Sequence, residues 1–384
     1  MMHTVHFAHS FSRLSETFVY DYVTGLQNHG VDTHVITLNR VNTKDRPFKN
    51  VQQINLNLFN PERLIRRGVD FIRNRSKETS SWPVYRKKLS RILSDLDPDI
   101  IHAHFGPMGV LISPVASSLG IPFVVTFYGY DISEYALDSY WQEQYKKLAT
   151  HSDAVTVLSE QMKSEAVELG FSPEKTKVIH LGTDLSRFPR KSISYPVRKF
   201  VSVGRLSEKK GHIDSIKAIQ KAKSETGLSL ELTIIGEGNL RGNLQEYISE
   251  HNLDDSVNLA GSLPNSDVID MLYESDAFIL CSKTAAKGDR EGTPTVLIEA
   301  QAAGLPCIST YHSGIPEIIP EKNHDLLAPE GDVKSISECI NTLVTASEAS
   351  VSDHIRLGRE RVEKEFNIEE ETRKFKRLYE RLAK

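Results

Sequence analysis

Short runs rich in β-branched and aromatic residues alternate along this chain with stretches whose apolar positions recur every three to four residues. In the first half the runs are VHFAH, THVITLN, IIHAHF, PFVVTFY, AVTVLS and KVIHLG; in the second they are KFVSVGR, LELTIIG, SVNLAG, AFILCS and PCIST. Amphipathic segments lie between them, such as Glu16 to His29, Asp214 to Lys223 and Asn239 to His251. Strand runs separated by helical patterns predict parallel sheets with crossover helices. The pattern is completed twice, so the chain reads as α/β with two doubly wound, Rossmann-like domains. The stretch RFPRKSISYPVRKF, with two prolines and several charges, interrupts the alternation and marks the boundary. We expect an N-terminal domain over 1–190 and a C-terminal domain over 197–362. A charged helical segment over 363–384, with a thin apolar stripe of Phe366, Phe375, Leu378 and Leu382, is expected to pack back on the first domain.

Composition narrows this picture without changing it. A length of 384 residues supports two domains, and 39% hydrophobic with 26% charged residues is ordinary for a globular chain. A net charge of -4 offers no global attraction to nucleic acid. Cys281, Cys307 and Cys339 are widely spaced, which argues against a disulfide framework or a zinc site. The start, MMHTVHFAHSF, lacks the basic-then-apolar pattern of a signal peptide. The most apolar region, Gly109 to Phe127, is cut by serines, prolines and Gly120, and reads as helix, turn and strand. A cytoplasmic protein is expected.

Chemistry concentrates in REGTPTVLIEA, where Glu291 and Glu299 flank a Gly-Thr-Pro-Thr turn. Thr293 can cap a helix with Pro294 at its first position, leaving the amides of Thr295 and Val296 as free donors. Gly292 lets an anion approach that end, so the turn is a reasonable phosphate seat. The plainer alternative is a helix whose glutamates simply favour its N-terminal dipole. A second stretch, VGRLSEKKG, follows the first strand of the second half and carries Arg205 and Lys210 where open parallel sheets bind ligands. Two cations facing a helix N-terminus could neutralise a departing diphosphate.

With these two stretches, IIGEGNL and AAGLPCISTYHSGIPEII, the chain resembles retaining GT-B glycosyltransferases of family four, over nearly its whole length. FSRLSETFV, IHAHFG and FYGYDIS resemble members that build bacterial exopolysaccharides of the colanic-acid type. The resemblance implies a nucleotide-sugar donor, linked to UDP or GDP, bound mainly by the C-terminal domain, and a glycan or lipid-linked acceptor bound by the other, with catalysis in the cleft between. It implies that Arg205, Lys210 and the amides near Thr295 and Val296 hold the diphosphate, that Glu299 takes the ribose, and that Glu291 contacts the donor sugar. Gly236 and Gly238 would border the nucleoside. No metal and no cofactor are expected. The one Asp-x-Asp, Asp97-Pro98-Asp99, reads as a turn.

Two departures from the family pattern stand out. Tyr128 occupies the place where relatives carry a histidine, and a phenol with a pKa of about 10 is a poor base. Asp131 or His104 could supply the missing acceptor, whereas His102 reads equally well as a core residue. Ser15, Glu16 and Thr17 replace a glycine pair and either face the cleft or serve as a helix cap. From Pro61 to Arg91 ten basic and three acidic residues interleave with apolar ones. That segment suits peripheral contact with an anionic membrane, or a helix with one buried and one solvated face. Competing functions are a GT-B sugar-nucleotide epimerase and a nucleotide-sugar-binding subunit without catalysis.

Overall fold

The computed structural model describes residues 1–13, 17–54, 82–190 and 194–384. The chain divides into two compact units, one of 1–157, 163–179 and 372–384, the other of 158–162 and 180–371. The first switch therefore comes well before the proline-rich stretch read as the boundary. Thr183 forms a bridge with Asn367, and the His180 amide donates to Glu371 Oε2 at 3.0 Å. These contacts assign 180–190 to the second unit, a long-range pairing that no local composition could signal.

The first unit holds a seven-stranded parallel sheet built from β1 (His3–Phe11), β2 (Asp32–Arg40), β3 (Val51–Gln53), β4 (Ile100–His104), β5 (Phe123–Thr126), β6 (Ala154–Val157) and β7 (Thr176–Val178). Its order is β3-β2-β1-β4-β5-β6-β7. Gly109 to Phe127 resolves into the helix Gly106–Leu119, a left-handed Gly120 and β5. The Asp-x-Asp lies in a turn, where Asp99 Oδ2 accepts the His3 amide at 2.7 Å and pins the start of β1. No described helix is long and apolar enough to cross a membrane.

The second unit holds β8 (Lys199–Val203), β9 (Glu231–Ile235), β10 (Val257–Gly261), β11 (Ala277–Ile279), β12 (Cys307–Thr310) and β13 (Leu327–Ala328), in the order β10-β9-β8-β11-β12-β13. Its strands are apolar on consecutive positions because both faces are covered. Phe200, Ile234 and Ile279 belong to one core, whereas Val201, Ile235 and Phe278 belong to the other. In both sheets the order reverses beside the first strand, so β8 and β11 flank the switch point of this unit, where loops diverge and leave a crevice.

Candidate functional site

The loop leaving β8 reaches Lys210 through a single turn, Glu208–Lys210, and Gly211 then opens the helix His212–Thr226. Gly211 has φ +62°, and a Cβ there would stand 1.7 Å from the Cys281 carbonyl oxygen, so this loop presses against the chain leaving β11. The contact is sealed by the Lys283 amide, which donates to the Lys209 carbonyl at 2.9 Å. On the other side the loop after β9 closes in. A Cβ on Gly236 would stand 2.0 Å from the Gly204 carbonyl, and one on Gly238 2.4 Å from that of Leu206. The direct reason for these two glycines is thus backbone packing against 204–206, whatever else they border.

Four charged side chains meet where the loops converge. Lys210 Nζ lies 3.0 Å from Glu291 Oε2, and both side chains are nearly buried. Lys209 Nζ lies 2.8 Å from Asp289 Oδ1 and 3.9 Å from Glu291 Oε1. Burial opposes the Glu291 charge, yet the two ammonium groups win and hold its carboxyl below the usual range. Glu291 Oε1 is buried and accepts no hydrogen bond among the described residues. Just behind, Lys283 pairs with Asp214 at 2.7 Å. Charges packed this closely interact by roughly 4 kcal/mol at an effective dielectric near 20, enough to preorganise the loops.

The helix of the Gly-Thr-Pro-Thr turn runs Thr295–Ala302. It starts one residue later than the expected cap: Pro294, extended at ψ 100°, occupies the capping position, and no side chain caps the helix. Thr293 instead donates its hydroxyl to the Leu158 carbonyl at 3.3 Å, which removes it from capping. Thr295 and Val296 remain in the first turn, where backbone amides have no intrahelical acceptor. Gly292 is buried directly before the turn, and Glu299 is half-buried in the helix. Arg205 is exposed on the loop that carries Lys210. Lys209, Asp289, His312 and Glu330 escaped sequence reasoning, although Lys209 adjoins Lys210 and Asp289 stands two residues before Glu291.

In the first unit Tyr128 donates to or accepts from His104 Nδ1 at 2.6 Å, and its ring stacks on Phe18 with centroids 4.6 Å apart. His104 Nε2 is 3.0 Å from His6 Nδ1. His102 faces Tyr379 and Thr126 hydroxyls at 2.5 and 2.6 Å. His6, His102 and His104 are close enough to share a metal ion, but both nitrogens of His102 already meet hydroxyls. Asp131 is differently employed from the acceptor role expected. One oxygen takes the amides of Tyr128 and Gly129, the other that of Gly106, at 2.9–3.0 Å. A carboxylate there closes the N-terminus of the helix Gly106–Leu119 and favours its dipole. Burial nevertheless pushes its pKa up to about 6. Thr17 opens the helix Thr17–Asn28, whereas Ser15 and Glu16 lie outside the described residues.

Two doubly wound units, the second with a lysine–glutamate cluster at its switch point, define a GT-B glycosyltransferase. Residues 188–356 match Glycosyl transferases group 1 and residues 15–187 match Glycosyltransferase Family 4. The amylovoran biosynthesis glycosyltransferase AmsK of Erwinia amylovora is 36% identical over 290 residues, covering 74% of this chain and 70% of that protein. WcaL of Escherichia coli, assigned to colanic acid biosynthesis, is 28% identical across 92% of this chain and 93% of its own. The chain belongs to glycosyltransferase family 4, among relatives that build exopolysaccharides. The fold is shared with Anabaena HepE in complex with UDP, at TM-score 0.77 and 14% identity, over 100% of both chains.

Proposed function

We propose that this glycosyltransferase takes a UDP- or GDP-linked sugar, retains its anomeric configuration, needs no metal, and delivers the sugar to a glycan or lipid-linked acceptor. The observation that carries this reading is the buried Lys210–Glu291 pair beside the first turn of Thr295–Ala302. A departing diphosphate needs fixed positive charge, and Lys210, Arg205 and the helix-start amides supply it without a cation. Glu291 is oriented by Lys210, and its buried Oε1, which accepts no hydrogen bond among the described residues, is the oxygen we assign to the sugar contact. HepE, a structural neighbour, has been seen with UDP and with UDP-glucose, which fits such a donor.

The purified protein, given a panel of UDP- and GDP-sugars with glycan and lipid-linked acceptors, should form product with the donor's anomeric configuration and should keep its rate in EDTA. Lys210→Met and Glu291→Gln should each lower turnover roughly 10²–10³-fold, the usual loss of one preorganised charge. Inverted product, or arrest by EDTA, refutes those parts of the reading separately. Epimerised donor without transfer would favour the epimerase.

Peripheral contact with an anionic membrane is part of the same proposal. Of the basic stretch named for it, 61–81 lies outside the described residues, and Lys87 and Lys88 are exposed on the helix Trp82–Leu96. Further support comes from a groove of about 430 Å³ along β7 and the last helix, where Lys177, Lys374, Arg377, Arg381 and Lys384 outnumber the one acid, Glu380.

A further inference from the structure

The backbone of Glu291 is held as firmly as its side chain. Its N–H donates to Nε2 of His312 at 3.1 Å. An amide nitrogen can only donate, so Nε2 must carry a lone pair, and the proton of a neutral imidazole must sit on Nδ1. Nδ1 lies 2.6 Å from Glu330 Oε1, a carboxylate placed to accept that proton's hydrogen bond. The second oxygen of Glu330 accepts the Thr284 amide at 2.8 Å. His312 follows β12 and is fully buried. Glu330 follows β13. The loop 284–291 is therefore tied at both ends to one dyad, and a turn closes its middle, with the Gly288 amide on the Ala285 carbonyl at 2.8 Å.

We propose that His312 and Glu330 are positioning residues for Glu291: the Glu330 carboxylate selects the Nδ1–H tautomer, and that tautomer sets the backbone from which Glu291 reaches Lys210. The inference rests on the sugar-facing role assigned to Glu291 above. His312 acts on the reaction only through that backbone bond. A donor nitrogen at the Nε2 position would face the Glu291 N–H and drive the loop away.

Nitrogen-15 histidine spectra of the whole protein test the tautomer directly, with His312 identified by the signals lost in His312→Gln. An Nδ1–H ring is expected; an Nε2–H ring overturns the proposal. Kinetics test the positioning, using the donor that turns over fastest in the panel above. His312→Gln retains an oxygen near the Nε2 place and should keep kcat within about threefold, because the Glu291 amide keeps an acceptor. His312→Asn is too short to accept it and should lose about tenfold or more in kcat, as small misplacements of a reacting group do. Calorimetric affinity for UDP or GDP should move by less than about threefold in both. Equal kcat in His312→Asn and wild type overturns the proposal, as does an equal loss in both variants accompanied by lost nucleotide affinity. Full turnover in Glu291→Gln would sink the role of Glu291 and the positioning with it, and the tautomer spectrum tells the two failures apart.

Discussion

His6, His102 and His104 lie wholly inside the first unit, and each ring nitrogen meets a hydroxyl or another imidazole. Burial keeps all three from protonating at ordinary pH, with His6 pushed down to about 3. Below the ordinary value of 6.5 an unfolded chain takes up protons that the folded chain refuses. Stability therefore falls as pH falls from that value, by at most about 1.4 kcal/mol per histidine per pH unit. Asp131 works the other way: with a folded value of about 6 against the ordinary 3.8, it keeps a proton that the unfolded chain has released. It makes stability fall as pH rises through that window. Three groups outweigh one, so urea midpoints should drop clearly between pH of about 7 and about 5. A chain equally stable at both would show that the rings are not buried neutral. His104 and Tyr128 were legible as candidates only through the family resemblance, Tyr128 standing where relatives carry a histidine. The capping duty of Asp131 was not, because it depends on amides 2, 3 and 25 residues away.

At the scale of elements, the strand runs and the main helices follow the periodicities read from the chain, and two strands do not. β3 reads VQQ, with one apolar residue in three, and β13 has only two residues, so neither carries an apolar run that registers. Loops at the switch point carry the site, and glycines let them close. Gly211 and Gly227 share left-handed φ values of 62° and 69°, yet a Cβ meets the Cys281 carbonyl at the first and nothing at the second. Gly227→Ala should cost only about 1 kcal/mol from its backbone conformation. Gly211→Ala should cost clearly more, about 3 kcal/mol or above, since the strand ends must part. Equal losses in denaturant titrations would mean that the loops are not in contact. The basic groove makes a separate prediction. Arg377→Glu with Arg381→Glu should reduce sedimentation with phosphatidylglycerol vesicles at low salt, each basic residue being worth about 1 kcal/mol near such a surface. Unchanged sedimentation removes the groove from the membrane proposal.

For the whole molecule, the consequential feature is that the first unit is discontinuous in sequence. Its last portion is 372–384, from which Phe375, Leu378 and Tyr379 are buried. Phe375 packs on Tyr22 with ring centroids 5.0 Å apart, and Tyr379 reaches His102. Gly25 lies so near Thr372 that a Cβ would come within 2.9 Å of its Oγ1. Ending the chain at Glu371 would remove three buried side chains of a kind worth roughly 2–5 kcal/mol each. Such a truncation should abolish soluble expression or lower the melting temperature by about 10 °C or more. A truncated chain that melts like the intact one would show that the first unit is complete without its return segment.

Local periodicity determined much by itself: two parallel-sheet units, their order, and the two short stretches that carry Lys210, Glu291 and the helix start. These follow from the spacing of apolar residues and from turn chemistry, which act over a few positions. Tertiary structure decided where the units divide, which lysine pairs with which acid, and that His312 with Glu330 governs the Glu291 backbone. Those outcomes depend on contacts across 18 to 191 residues of sequence, made where strand ends converge, and no local pattern encodes them.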